Sequence, residues 1–236
     1  MRADGALPAA RVDGAIFARH PDYVAVVVGA AGLANGPSDA VSDGWLAAAE
    51  ASLRARGLER AADDPHLAAW RAAFSLFGAK PSRYPSSAEA LAARVLRGAP
   101  LPRVNRLVDA YNAVCVRHLI PVGGEDADRL EGPLRLVVAD GSEIFDPRGD
   151  GEPEERVAPG EVVWRDDRGI TCRRWNWRQG RRTELTDRTR SACFVVDRLA
   201  PLERGVLEDA VDELCRLLRE GSPGAHISAV TLAAPA

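Results

Sequence analysis

The chain has 236 residues, 31 basic against 34 acidic side chains and a net charge of −3. It lacks the overall basic field of a non-specific nucleic-acid binder, so any RNA contact must come from a local patch, and DNA is not an expected partner. A chain this long buries enough apolar surface to need no disulfide or metal staple. Lys80 is the one lysine among the basic residues; with so many arginines and alanines reflecting a GC-rich genome, the position of an arginine weighs more than the count.

The four cysteines, Cys115, Cys172, Cys193 and Cys215, are far apart with no C-x-x-C among them and read as reduced thiols. The four histidines are scattered, so neither a metal site nor a cofactor is expected. No apolar run reaches the roughly 18 residues of a membrane span and no basic-then-apolar leader opens the chain. The expected location is cytoplasmic.

Near the start, Ala15 to Phe17 reads as a short strand. The β-branched run Tyr23 to Val28 reads as a strand buried on both faces. The Gly29-Ala-Ala-Gly32 that follows has neither a Gly-Lys-Ser/Thr nor a G-x-G-x-x-G pattern, and a plain turn outweighs a phosphate loop there. Ser38 to Asp43 offers N-caps for a helix to about Arg56, with Trp45, Ala49 and Leu53 on one face; a second helix spans Pro65 to Leu76. The loop Phe77 to Ser87 carries Lys80 and Arg83 and feeds a helix from Ala88 to Arg97, capped by Ser86 or Ser87. A basic loop at a helix N-terminus suits a phosphate or carboxylate as well as it suits plain surface.

Val104 to His118 reads as a helix with a core face of Leu107, Val108, Tyr111, Val114 and Cys115. Asn105, Asp109 and Asn112 form a polar stripe beside it. Such residues are poor helix-interior formers, so the stripe reads as a pocket lining, with capping as the rival account for Asn105. The texture then turns to strands: Leu134 to Val138, Ser142 to Phe145 after an Asp140-Gly141 turn, and a hairpin of Val162 to Trp164 and Ile170 to Cys172. Asp146 to Pro159 reads as an exposed acidic loop. Ala192 to Val196 is a further strand, Leu202 to Arg219 an amphipathic helix, and Ala225 to Leu232 a last strand. The sum is α+β.

Thr171 to Thr186 concentrates two tryptophans among five arginines. Alternation of Trp and Arg reads as a strand edge that grips something flat and anionic, a nucleotide or a tRNA end.

Four stretches carry a resemblance: Phe77-Gly-Ala-Lys-Pro-Ser-Arg-Tyr-Pro-Ser-Ser87, Leu101-Pro-Arg-Val-Asn-Arg-Leu-Val-Asp-Ala-Tyr-Asn112, Asp126-Ala-Asp-Arg-Leu-Glu-Gly132 and Cys172-Arg-Arg-Trp-Asn-Trp-Arg178. In order and spacing they resemble the B3/B4 module, the editing domain of the phenylalanyl-tRNA synthetase β subunit, in its freestanding form. The resemblance implies a mixed sheet flanked by helices over residues 75–236, with residues 1–74 as an N-terminal α/β portion packed on it. It also implies an esterase acting in trans on misacylated tRNA, with the 3′ acceptor end and its attached amino acid as partners. Asn112 falls on the family's pocket asparagine, whereas Tyr111 replaces a threonine and Gly123 a histidine. Losing that histidine weakens a copied general-base step. Ester hydrolysis stays open, because an aminoacyl ester needs mainly a positioned water and a stabilised oxyanion.

On this reading Asn105, Asp109 and Asn112 face the strand from Arg174 to Arg178 across a cleft. Asp109 takes the α-ammonium or a water, and Asn112 the carbonyl or that water. Lys80 or Arg83 meets tRNA phosphate, and Trp175 or Trp177 stacks on the terminal base while the other faces the core. Ser87, Arg174, Asn176, Arg178 and Thr183 complete the expected substrate or tRNA contacts. The alternative is a non-catalytic sensor of an amino acid or a tRNA end.

Overall fold

The computed structural model describes residues 8–147 and 154–235. Its middle layer is a four-stranded antiparallel sheet in the order β11-β2-β10-β3, formed by β2 (Val24–Ala31), β3 (Val122–Asp126), β10 (Ser191–Arg198) and β11 (His226–Ala233). Strand β2, from the first third of the chain, lies between two strands from its far end.

Period-two alternation in β2 explains why this sheet needs cover on both sides. Val24, Val26, Val28 and Ala30 belong to one core with the helices, while Ala25 and Val27 belong to a second core with the other sheet. That other sheet has five strands: β1 (Ala10–Val12), β4 (Leu134–Val138), β7 (Val162–Arg165), β8 (Ile170–Arg173) and β9 (Arg178–Gln179), in the order β1-β4-β7-β8-β9. Strands β1 and β4 run parallel and the other pairs antiparallel, so the architecture is mixed α+β. A two-stranded ribbon, β5 (Ile144–Phe145) with β6 (Glu155–Arg156), completes the strands. Part of the expected acidic loop lies outside the described residues, and β6 occupies another part.

The helical layer comprises α2 (Ala40–Ala55), α4 (Ser87–Leu96), α5 (Arg106–His118) and α6 (Arg204–Gly221), while α3 (Pro65–Leu76) packs into the second core. Helix α2 starts at a capping box of Asp39 and Ser42. Helix α5 lies between α2, α4 and α6, and every residue from Leu107 to Val116 is buried. The face expected to be core is core, and so is the rest of its circumference.

Three local readings change. Gly14–Arg19 is a short helix, α1, rather than a strand at Ala15 to Phe17, because Asp13 accepts from the Ala15 amide and starts a helical turn. Gly29 sits inside β2 opposite Cys193, so the Gly-x-x-Gly is a strand end with Gly32 at φ +72° just after it, not a phosphate loop. Strand β3 escapes a sequence reading because two of its five residues, Gly123 and Gly124, are glycines. Gly124 is required there: a Cβ would stand 2.9 Å from both Leu185 and Phe194. Among the described residues no helix is long and apolar enough to cross a membrane.

Candidate active site

A cavity of about 430 Å³ is lined by residues of both sheets, of α4 and α5, and of the β8–β9 hairpin. Its apolar wall includes Leu91, Val122, Leu134 and Val195; its polar groups include Asn112, Glu125, Asn176, Arg178, Gln179 and Asp197. Few polar groups converging in an apolar hollow is the usual make-up of a small-molecule site.

The hairpin decides which tryptophan does what. Strand β8 stops at Arg173, and the next two residues are left-handed, Arg174 at φ 48° and Trp175 at φ 63°. Hairpin turns normally give such positions to Asn or Gly. The strained pair is held in place because the Trp175 amide donates to the Val162 carbonyl at 2.6 Å and its ring is fully buried, edge-on to Tyr23, Trp70 and His20 at 5.0 to 5.1 Å. The expected strand edge at Arg174 to Trp177 is therefore a turn, which sends successive side chains to different sides of the wall. Trp175 faces the core and the cavity; Trp177 is half-buried beside Tyr84 at 5.0 Å.

Arg174 does not line the cavity. Its guanidinium lies between the rings of Tyr84, 3.7 Å from the centroid, and Trp177, 4.5 Å away, and within 3.7 Å of Glu161. Burial lowers its pKa despite that carboxylate. Arg178 and Asn176 line the cavity, and Ser87 lines it at the start of α4, where its amide donates to the Asn176 carbonyl at 3.0 Å. Ser86, not Ser87, caps that helix.

The polar stripe on α5 splits. Asn112 lines the cavity and is 6% exposed. Asn105 is the N-cap: its Oδ1 accepts from the Val108 amide and its Nδ2 donates to the Leu185 carbonyl, both at 3.1 Å. Asp109 is fully buried and accepts from the Ser42 hydroxyl at 2.8 Å and the Val104 amide at 3.1 Å, joining α2 to the entry of α5. Both are corrections, since their bonding capacity goes to the fold and neither lines the cavity. Thr183 is corrected likewise: it is fully buried, and its hydroxyl donates to Glu125. Lys80 and Arg83 are exposed on the loop before α4, outside the cavity wall, with the Arg83 guanidinium 5.2 Å from the Tyr84 ring centre.

Two carboxylates escaped the sequence reading. Glu125 on β3 is 3% exposed, and burial pushes it up to about 8 against hydrogen bonds from Thr183, Gln179 and Thr171. Asp197 on β10 is 2% exposed, and burial pushes it up to about 7 against the Tyr23 hydroxyl at 2.6 Å and the Asn176 amide at 3.3 Å. The one available signal for Asp197 was an acid ending the apolar run Phe194-Val-Val. Beside Glu125, Gly123 leaves room: a Cβ there would meet only the Gln179 amide nitrogen, at 3.7 Å. The Tyr111 hydroxyl reaches the same Gln179 side chain at 3.4 Å.

Buried polar atoms on the wall without a hydrogen-bond partner among the described residues include the Trp164 indole Nε1 and the Asn176 Oδ1. A buried unsatisfied group costs about 1–3 kcal/mol, so each is a place where a ligand restores what burial removed. Cys172 also lines the cavity, but burial raises its thiol well above the ordinary range, and it is no nucleophile at neutral pH. Among the described residues no group of three or more His, Cys, Asp or Glu is placed to hold a metal ion.

A family model described as the B3/4 domain matches residues 69–221. Among solved structures, the chain is similar to an N-terminal fragment of the phenylalanyl-tRNA synthetase β subunit from Pyrococcus horikoshii, at a TM-score of 0.52 and 11% identity. That similarity covers 98% of this chain and 55% of the fragment, so the chain spans about half the fragment's length, and the likeness concerns the fold. No curated protein matches the chain.

Proposed function

The chain belongs to the B3/4 domain family, and from that premise we propose that it hydrolyses the ester of misacylated aminoacyl-tRNA in trans. The observation that carries the reading is the cavity that joins Asn112 on α5 to Trp177 and Arg178 on the hairpin. Its volume of about 430 Å³ falls within the range of roughly 300–1,000 Å³ typical of small-ligand sites. An aminoacyl group enters it, with the terminal ribose at the rim.

In this reading the Asn112 amide holds the ester carbonyl and stabilises the oxyanion as water attacks. Glu125, protonated at neutral pH, is a second donor on the same wall. The water oxygen bonds to the carbonyl carbon, the ester C–O bond breaks, and the ribose oxygen leaves as a hydroxyl with the proton the water gives up. Outside, the Trp177 ring stacks on the terminal adenine, and Lys80, Arg83 and Arg178 meet phosphate. Asn105, Asp109, Arg174 and Thr183 support this surface from behind it.

The test is deacylation of a panel of mischarged tRNAs. Wild type releases amino acid from at least one, and Asn112→Ala is slower by about 10²–10³-fold, the cost of removing one oxyanion donor. One observation favours a second reading, a sensor that binds an amino acid or tRNA end without consuming it: Gly123 stands where the family pattern has a histidine. Saturable binding with every ester left intact would establish the sensor and remove the enzyme.

A further inference from the structure

Asp197 lines the cavity, is almost wholly buried, and among the described residues accepts hydrogen bonds only from neutral groups, the Tyr23 hydroxyl at 2.6 Å and Asn176 Nδ2 at 3.3 Å. Among the described residues no ion pair reaches it. An ionised carboxylate so placed lacks a compensating charge, and burying one is costly unless it is paired. Beside it, Asn176 turns its amide nitrogen to Asp197, which leaves Oδ1 as a second buried acceptor with no partner. The indoles of Trp164, Trp175 and Trp177 lie on the same wall.

Carboxylate, spare amide oxygen and aromatic faces are complementary to one kind of ligand group. An ammonium supplies three N–H donors and a positive charge, and is attracted to indole faces. A phosphate or carboxylate would be repelled by Asp197, and a neutral hydroxyl would leave its charge uncompensated. We propose that Asp197 and Asn176 form the subsite for a primary ammonium of the bound aminoacyl group. Asp197 is thus a specificity residue, replacing Asp109 in the role the sequence suggested. The ammonium can be the α-amino group or the end of a lysine-like side chain; the chemistry at Asp197 is the same.

The inference rests on reading the cavity as the aminoacyl site, and its test reads binding, so it does not need turnover. Three non-hydrolysable 3′-amido-adenosines are titrated by calorimetry at pH 7.5: the L-alanyl, the propionyl and the 6-aminohexanoyl derivatives. Propionyl is alanyl without its amine, and 6-aminohexanoyl is lysyl without its α-amine. The expected result is that alanyl binds at least tenfold tighter than propionyl. The same advantage shown by 6-aminohexanoyl instead assigns the subsite to a side-chain ammonium. In Asp197→Asn, with its fold checked by thermal melting, the advantage of the amine disappears. If that variant fails to fold, the wild-type comparison decides alone. Equal affinity of all three probes, or an amine preference that survives Asp197→Asn, overturns the proposal. Intact esters with a retained amine preference would sink deacylation and leave this subsite standing; turnover without the preference would do the reverse.

Discussion

Glu161 and Asp197 are buried to nearly the same extent, 4% and 2% exposed, yet their surroundings are opposites. Glu161 accepts from the Arg173 guanidinium at 2.8 and 3.3 Å and from the Arg174 amide at 3.2 Å, with the Arg174 side chain at 3.7 Å. Asp197 has a phenol and a carboxamide. The first carboxylate is complete within the protein and holds the hairpin to β7. The second is left electrostatically incomplete, in the wall of a hollow that both sheets line. Burial alone therefore does not separate paired acids from uncompensated ones; the charge of the partners does.

That contrast can be broken most directly by deletion. Glu161→Ala leaves Arg173 as a buried charge with, among the described residues, only Glu155 for an ion-pair partner and is expected to cost about 3–5 kcal/mol in urea denaturation. Asp197→Asn, which removes an uncompensated acid, should cost no stability at pH 7. Equal losses would erase the distinction.

Titration sharpens it. Because the folded-state pKa of Asp197 is raised to about 7, its proton is held more tightly in the fold than in the unfolded chain. The contribution is complete below about pH 4, the ordinary carboxylate range, and is lost as pH rises through 7. The stability of wild type relative to Asp197→Asn should therefore fall between pH 4 and pH 8, by up to roughly 1.4 kcal/mol per pH unit. A flat difference across parallel denaturation curves would place a cation near Asp197 that the structure lacks. The smallest effect belongs to Tyr23→Phe. It removes a donor that holds Asp197 down, so the same transition should move to higher pH, with a stability loss of about 1 kcal/mol.

Helices α2, α3, α4 and α6 and strands β2, β4 and β10 were legible because capping residues and 3.6 or two-residue periods mark them in the chain itself. Asn112 and Trp177 were legible as lining residues of a pocket from residue type and from the family pattern, and both line the cavity. Asn105 and Asp109 were misplaced for an identifiable reason. Spacing shows that three polar groups share a helix face, but not that Ser42 and the Val104 amide already occupy one of them. Glu125 and Asp197 were invisible, since each becomes a wall residue only when β3 and β10 pair and the second sheet covers them. Long-range pairing of this kind leaves no local signature.

The two left-handed residues at Arg174 and Trp175 have a mechanical consequence. They make the floor of the hollow and its outer lip from adjacent residues of one short bend, so Trp177 is anchored through Trp175 to Tyr23 and Trp70. If a base stacks on Trp177 as proposed, it would push against a bracket fixed in the core, not against a swinging flap, and its distance to the buried acid would be set before any guest arrives.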